Sequence, residues 1–146
     1  MKIDNEMTLI IPALSKNEAF ARSAVAAFAV EMDPSLEEIN DIKTAVCEAV
    51  TNSIVHGYDK KEGYITIKAK IMGKVLHIEI SDNGVGIKDI EKARQPYFTT
   101  KPEEERTGMG FTVMETFMDE LKVESQVNKG TKVWMAKTFK SLSNRE

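Results

Sequence analysis

The spacing of apolar positions changes along the chain, and each change marks a predicted element. The apolar run at 7–11 ends at Pro12, which favours an edge strand because proline has no N–H to donate to a neighbouring strand. Helical spacing follows, with Ser15 and Glu18 predicted to form an S-x-x-E capping box and the helix to end near Met32. The predicted buried stripe of this helix is Phe20, Ala24, Ala27 and Phe28.

A second helix is predicted after the turn at Asp33 and Pro34. Ser35 and Glu38 repeat the capping box, and Gly57 is the expected stop because glycine tolerates the backbone conformation that ends a helix. The predicted inward face of this helix is Ile39, Ile42, Val46, Ala49 and Ser53.

Beyond the second helix, apolar residues recur at every second position. The segments 64–71 and 76–80 each alternate apolar with polar residues, so they are predicted to form an antiparallel hairpin that turns at Gly73. Helical spacing returns at 111–118, and a second hairpin is predicted within 121–138.

The stretch 95–110 has proline and glycine residues and little apolar content, so it is predicted to be a long loop. Loops of this length in compact proteins are usually functional, and this one is interpreted as a mobile lid. The order of elements predicts an α+β fold, a two-layer sandwich with helices on one face of a mainly antiparallel sheet. We expect one domain over residues 1–139 and a polar tail at 140–146.

The composition restricts the possible functions. The 146 residues carry a formal net charge of −3, so the chain lacks the basic field that binding to nucleic acid or an anionic membrane requires. A single cysteine cannot form an internal disulfide, and no apolar run reaches the roughly 20 residues that span a membrane. These features predict a soluble protein of the reducing cytoplasm.

Three polar residues of the second helix, Glu48, Asn52 and His56, are spaced at i, i+4 and therefore project in nearly the same direction. We call them the polar row. A carboxylate with an amide oxygen one turn away suits the activation of a hydroxyl or water beside magnesium. A solvated polar face is the alternative for such a pair, and His56 is as well explained by a structural role.

Two glycine motifs point to a ligand. Asp82, Gly84 and Gly86 follow a predicted strand, where glycines let the backbone approach a flat ligand and the aspartate can accept a hydrogen bond from an exocyclic amine. Gly108 and Gly110 precede a predicted helix, whose free N-terminal amides suit phosphates. Taken singly, the first motif is equally consistent with an ordinary loop, and the second more often marks an ordinary helix entry.

In this order, and with the lid between the two glycine motifs, these elements resemble the nucleotide site of the GHKL superfamily of ATP-binding domains. The resemblance implies ATP or ADP and Mg²⁺ as ligands. Asn52 would then bind magnesium, Asp82 would read the adenine amine, and Thr131 would support Asp82. The further implied nucleotide-binding positions are Gly84, Gly86, Thr99, Thr100, Lys101, Arg106, Thr107, Gly108, Met109 and Gly110.

Three strings, EAVTNSIVHGY, ARQPYFTTKPE and RTGMGFTVME, resemble more narrowly the anti-sigma factor serine kinases of sporulation. This resemblance implies a homodimer that sequesters a sigma factor and phosphorylates an anti-anti-sigma protein on serine. Glu48 would be the catalytic general base. Glu18 and Arg22, at i, i+4 on the first helix, would help to bind the protein partners; their alternative reading is an ordinary surface ion pair.

Two other classes of protein remain as alternatives to the kinase. One is a binding module in which the nucleotide only switches the shape of the lid, and the other is an isolated histidine-kinase ATP domain or a small ATPase. Glu48 favours the enzyme, because a binding module has no use for a base. Cys47 is predicted to be a packed or half-buried thiol without a catalytic role, and no Cys/His group has zinc spacing.

Overall fold

A computed structural model describes residues 2–59, 61–95 and 110–140. Its described residues form a five-stranded antiparallel sheet with helices on one face, which confirms the predicted fold class. The sheet has the order β1-β2-β3-β5-β4. Its strands are β1 (Asn5–Pro12), β2 (Tyr64–Met72), β3 (Val75–Asp82), β4 (Glu120–Gln126) and β5 (Gly130–Thr138).

The helices are α1 (Asn17–Ala29), α2 (Leu36–Asn52), α3 (Ile90–Ala93) and α4 (Gly110–Phe117). A 3-10 turn over Val30–Met32 extends α1, and a π-helical turn over Ser53–Gly57 extends α2. The helical path from α2 thus stops at Gly57, as predicted, although its last turn is wider than an α-helix. The short α3 was not predicted; the Asp89 side chain caps it by accepting from the Lys92 N–H at 3.1 Å.

The core lies between the sheet and the helices, and the period-two pattern correctly identified its strand residues. In β2 and β3 the side chains of Ile65, Ile67, Ala69, Ile71, Leu76, Ile78 and Ile80 are buried. Ile67 pairs with Ile80 and Met72 pairs with Val75, which confirms the predicted hairpin. Gly73, in the turn, has φ +64°, a conformation that side chains with a Cβ rarely adopt.

The capping box predicted for the second helix is present. Ser35 Oγ accepts from Glu38 N at 3.1 Å, and the Glu38 carboxylate accepts from Ser35 N at 2.8 Å. The inward face of α2 is also as predicted, with Ile42, Val46, Ala49 and Ser53 buried and Ile39 partly buried.

The capping box predicted for the first helix is wrong. α1 starts at Asn17 without a side-chain cap, because the chain already turns after Pro12 and Glu18 N donates to the backbone oxygen of Ser15 at 3.2 Å rather than to its hydroxyl. The predicted buried stripe is wrong in part, since of its four members Phe28 packs partly buried against the core but Phe20 and Ala27 are exposed. The buried residues of α1 are Ala21, Val25 and Ala29, one position later, and Phe20 is 54% exposed.

Two of the predicted segments lie largely outside the described residues. They are the lid around 95–110 and the polar tail at 140–146, of which the structure describes 95, 110 and 140. Among the described residues, no helix is long and apolar enough to cross a membrane.

Candidate functional site

A cavity of about 880 Å³ lies where the end of α2, the π-helical turn, the end of β3 and the start of α4 meet. A volume of this size is typical of small-molecule sites. Its described lining includes Asn52, Ser53, Asp82, Gly86, Gly110 and Thr131. Five of the six, all but Ser53, are predicted site residues, so the fold brings together predicted positions that are far apart in the sequence.

Asp82 is the best-defined side chain of the cavity. It continues the buried face of β3 after Ile78 and Ile80 and is only 7% exposed. Its Oδ2 accepts from Ser53 Oγ at 2.8 Å, and its Oδ1 accepts from the backbone N–H of Gly84 at 2.9 Å and of Thr131 at 3.3 Å. A carboxylate offers about four acceptor positions, so Oδ2 can still accept from a donor inside the cavity.

Thr131 lies beside Asp82 and joins it to β4. The two residues are register partners in the pairing of β3 with β5. The Thr131 hydroxyl hydrogen-bonds Ser125 Oγ at 2.8 Å, and Ser125 Oγ also accepts from Ile87 N at 2.6 Å. This small network fixes the segment after Asp82 against the ends of two strands.

The π-helical turn holds the same segment from the other side. The Gly57 carbonyl accepts from Val85 N at 2.9 Å. The Tyr58 hydroxyl accepts from Asn83 N at 2.7 Å and donates to the Tyr64 carbonyl at 2.6 Å. The residues that follow Asp82 are therefore pinned before any ligand binds, which is the preorganisation that a specific site needs.

Close backbone approach explains why Gly84 and Gly86 are glycines. A Cβ on Gly84 would lie 2.1 Å from the Gly57 carbonyl oxygen, which no small shift could relieve. A Cβ on Gly86 would lie 2.2 Å from the Gln126 carbonyl oxygen, and Gly86 also has φ +77°. Both glycines thus let the segment after Asp82 lie directly against its neighbours, while Gly86 lines the cavity.

Only two of the three residues of the polar row are among the described lining residues of the cavity. Asn52 and His56 line the cavity, whereas Glu48 is half-buried and is not among the described lining residues. Gly110, at the start of α4, lies so near Asn52 that an added Cβ would be 3.1 Å from the Asn52 side-chain amide. The amide of Asn52 and the N-terminus of α4 therefore share one part of the cavity.

Seven predicted nucleotide contacts lie outside the described residues: Thr99, Thr100, Lys101, Arg106, Thr107, Gly108 and Met109. They stay predictions.

Glu18 and Arg22, the predicted partner contacts, lie on α1 and are not among the described lining residues of the cavity. Arg22 Nε is 3.4 Å from Glu18 Oε1, with 41% of the Arg22 side chain and 19% of the Glu18 side chain exposed. The single cysteine, Cys47 on α2, faces Glu18. Burial raises the pKa of the half-buried Cys47 thiol to about 11, and the Glu18 and Glu48 carboxylates add to the increase. A thiol with so high a pKa is unreactive at neutral pH, which agrees with its predicted packing role.

Ser53, Tyr58 and Ser125 complete the site but were not predicted as site residues. Ser53 had been assigned to the inward face of the second helix, which is correct, yet its hydroxyl binds Asp82. A serine next to Asn52 on an otherwise apolar face was the available signal. Nothing in the local sequence indicates the contacts of Tyr58 and Ser125, because both depend on chain segments brought close by folding.

Comparisons with known proteins show the family of this chain. Residues 11–137 match the family described as the histidine kinase-like ATPase domain. The chain is 58% identical over 140 residues to the anti-sigma F factor of Clostridium kluyveri, covering 96% of this chain and 99% of that protein. It is 63% identical over 137 residues to the anti-sigma F factor of a Thermoanaerobacter species, covering 94% and 96%.

Two solved structures share the fold at low sequence identity. The crystal structure of the RsbU and RsbW domains of a Mycobacterium tuberculosis protein matches 92% of this chain and 32% of that chain, with a TM-score of 0.68 and 18% identity. The catalytic domain of the histidine kinase ThkA matches 95% of this chain and 97% of that chain, with a TM-score of 0.57 and 16% identity.

Proposed function

The chain belongs to the family of histidine kinase-like ATPase domains and is a relative of the anti-sigma F factors, and we propose that it is an anti-sigma factor with protein serine kinase activity. In this proposal it sequesters a sigma factor, and it uses Mg-ATP to phosphorylate an anti-anti-sigma protein on serine. Because sigma factors act on RNA polymerase, the proposed reaction takes place in the cytoplasm.

The observation that carries the proposal is the Asp82 carboxylate, buried at the cavity and oriented by three donors. The family implies ATP or ADP as the ligand, and adenine carries an exocyclic amine that matches the remaining acceptor position of Asp82. Gly86 lines the same space, and its backbone is therefore close enough to lie against a flat ring.

The phosphates of the nucleotide would bind in the part of the cavity that Asn52 shares with the N-terminus of α4. Free N–H groups at a helix N-terminus favour anions, and an amide oxygen is a suitable ligand for magnesium. When bound, magnesium would neutralise charge on the phosphates. Asn52 would hold the metal, and the backbone at Gly110 would contact phosphate oxygens.

Glu48 is proposed to take the proton of the attacking serine hydroxyl. It stands one turn before Asn52 on α2 but outside the described cavity lining. This position suits a group that meets a protein substrate arriving from outside rather than the nucleotide within. Phosphoryl transfer depends mainly on positioning and charge, so the rate of Glu48→Gln measures how much proton removal by Glu48 contributes.

The protein partners follow from the names of the relatives, anti-sigma F factor. We propose that the chain forms a homodimer and that the exposed side of Arg22, oriented by Glu18, contributes to binding the sigma factor or the anti-anti-sigma protein. An arginine with a large exposed fraction beside an acidic neighbour is a common interface hot spot.

The decisive experiment incubates the protein with γ-labelled ATP, magnesium and candidate anti-anti-sigma proteins, followed by phosphoamino-acid analysis. At saturating ATP, Glu48→Gln should bind Mg-ATP and the sigma factor normally but transfer phosphate about 10²- to 10⁴-fold more slowly. Asn52→Ala should lose magnesium-dependent nucleotide binding and transfer together.

Three results would change the proposal. Transfer by Glu48→Gln at the normal rate would remove Glu48 as the base. No labelled serine with the unmutated protein, despite sigma binding that responds to nucleotide, would favour the nucleotide-switched binding module. Label on histidine would favour the histidine-kinase alternative.

A further inference from the structure

Lys137 is a buried charged residue that the proposed site does not use. The buried polar or charged residues among the described part of the chain are Ser53, Asp82 and Lys137. The first two bind each other at the cavity. Lys137 follows Val133 and Met135 on the inward face of β5, near the opposite end of that strand from Thr131. Burying an ammonium group is costly unless it is paired and hydrogen-bonded, so its contacts need an explanation.

The Lys137 ammonium joins three elements. Its Nζ donates to the Phe117 carbonyl at 2.8 Å and lies 3.3 Å from Asp41 Oδ2. Phe117 is the last residue of α4, where a helix has unsatisfied carbonyl groups and a partial negative charge. Asp41 belongs to α2. Lys137 therefore fastens the C-terminus of α4 to α2 and to the sheet.

The other end of α4 reaches the proposed phosphate site. Gly110 begins α4 beside the Asn52 amide. Asp41 lies 11 residues before Asn52 on α2, which is about three full turns, so the two side chains share one face of α2. Hence α4 runs antiparallel to α2, with its N-terminus at Asn52 and its C-terminus at Asp41 and Lys137.

This arrangement makes α4 a short rigid spacer. It has 8 residues, and at about 1.5 Å per residue it spans about 12 Å. Because a helix this short does not change length, fixing the Phe117 end fixes how far the Gly110 end extends towards Asn52. We propose that Lys137, together with Asp41, is a positioning pair that sets the distance between the α4 N-terminus and Asn52 and thereby tunes binding of the nucleotide's phosphates. This inference rests on the proposed function.

The adenine half of the site provides an internal reference for the test. Asp82 and its donors lie on β3, the segment directly after it, β5 and the π-helical turn, and none of them hydrogen-bonds Lys137 or Asp41. Adenosine has the base without phosphates, and Mg-ATP has both. A positioning role predicts a loss confined to Mg-ATP, whereas general loosening of the fold would weaken both ligands alike.

The experiment measures the affinities of the full chain for Mg-ATP and for adenosine by calorimetry, with thermal melting recorded for each variant. Lys137→Met keeps the aliphatic stem but removes the ammonium group. It should weaken Mg-ATP binding about tenfold, the size seen when residues that orient metal ligands are removed, and should change adenosine binding less than twofold. The matched control is Lys132→Met on the same strand, whose lysine is exposed and lies 3.9 Å from Glu79; both affinities should stay unchanged.

Asp41→Asn keeps the Lys137 bond to Phe117 and should weaken Mg-ATP binding less than Lys137→Met does, in the same selective way. It serves as the test if Lys137→Met does not fold. Equal losses for both ligands, or no loss for Mg-ATP, in the variants that fold would overturn the positioning role. Failure of the unmutated protein to bind Mg-ATP would instead overturn the proposed function, and this inference with it.

Discussion

Ser53 Oγ donates a hydrogen bond of 2.8 Å to Asp82 Oδ2 across 29 positions of sequence, and both side chains are buried. The bond links the π-helical turn after α2 to the end of β3. It therefore connects the proposed adenine contact, Asp82, to the residue that directly follows the proposed magnesium ligand, Asn52.

The first prediction concerns this pair. Ser53→Ala should weaken ATP, ADP and adenosine binding by similar factors, about 1 kcal/mol each, because Asp82 loses a donor that orients it. Asp82→Asn should cost about 1.5–3 kcal/mol for all three ligands, because a charge-assisted acceptor is lost. Calorimetry with the three ligands tests both. Normal binding of ATP by Asp82→Asn would refute its adenine role.

The second prediction separates steric from conformational demands on glycine. Gly84→Ala should lower the free energy of unfolding by more than about 2 kcal/mol and abolish nucleotide binding, since its Cβ would lie 2.1 Å from the Gly57 oxygen. In Gly73→Ala the added Cβ would have no atom within 4 Å. The φ of +64° at this position should therefore reduce the free energy of unfolding by only about 1 kcal/mol, and nucleotide binding should be unchanged. Urea unfolding and calorimetry measure the two effects; similar losses in both variants would contradict the close-approach explanation.

The third prediction compares the two capping motifs. Ser35→Ala should reduce the free energy of unfolding by about 1 kcal/mol, because its hydroxyl accepts from Glu38 N. Ser15→Ala should change it by less than about 0.5 kcal/mol, because α1 has no side-chain cap. Chemical denaturation of both variants decides the point. An equal loss in Ser15→Ala would mean that the first capping box forms in solution.

The fourth prediction uses the single cysteine as a reporter of the contact between α1 and α2. With a pKa of about 11 in the folded protein, against 9.0 for an unperturbed thiol, alkylation of Cys47 at pH 8 should be about 100-fold slower than in the unfolded chain. The rate should still be rising with pH at pH 10. Because the folded pKa is the higher one, the contribution of Cys47 to stability is full below pH 9 and declines between about pH 9 and 11.

Glu18→Gln provides the control for that measurement. It should lower the Cys47 pKa and speed the alkylation of the folded protein, because a carboxylate next to the thiol disfavours the thiolate. An unchanged rate profile would show that Glu18 does not act on Cys47 in solution.

The fifth prediction addresses partner binding. Arg22→Ala should leave nucleotide affinity unchanged and cost at most about 0.5 kcal/mol of stability, since its pairing with Glu18 is a partly exposed i, i+4 ion pair. Its affinity for the sigma factor or the anti-anti-sigma protein should fall at least tenfold if it is a hot spot. The affinity is measured by titration, and Lys132→Ala, which removes one positive charge from β5, is the control for the change in net charge. Unchanged partner affinity would leave the pair as a surface ion pair only.

The sequence alone determined the elements whose pattern is local. Alternation at 64–71 and 76–80 identified the hairpin and its buried residues, because one face of an antiparallel strand pair must be apolar when helices cover it. The capping box at Ser35 and the inward face of α2 were equally readable. Asp82, Gly86 and Gly110 were predicted as site residues from motifs and their order in the chain, and all three line the cavity.

The tertiary structure decided what depends on contacts between distant segments. The centre of the α1 stripe was misplaced, because Phe20 and Ala21 both fit an apolar helix face and only packing against α2 and the sheet selects Ala21. Ser15 was predicted to cap α1 with its hydroxyl, but in the turn after Pro12 the Glu18 N–H donates to the backbone oxygen of Ser15 instead.

The same holds for polar groups on apolar faces. Ser53, Lys137 and Ser125 gain their roles from Asp82, Asp41 and Thr131, which folding brings within hydrogen-bond distance. A local pattern records which residues prefer burial. It does not record which distant donor will meet which acceptor, and that pairing is what makes a buried polar group stable and gives the site its geometry.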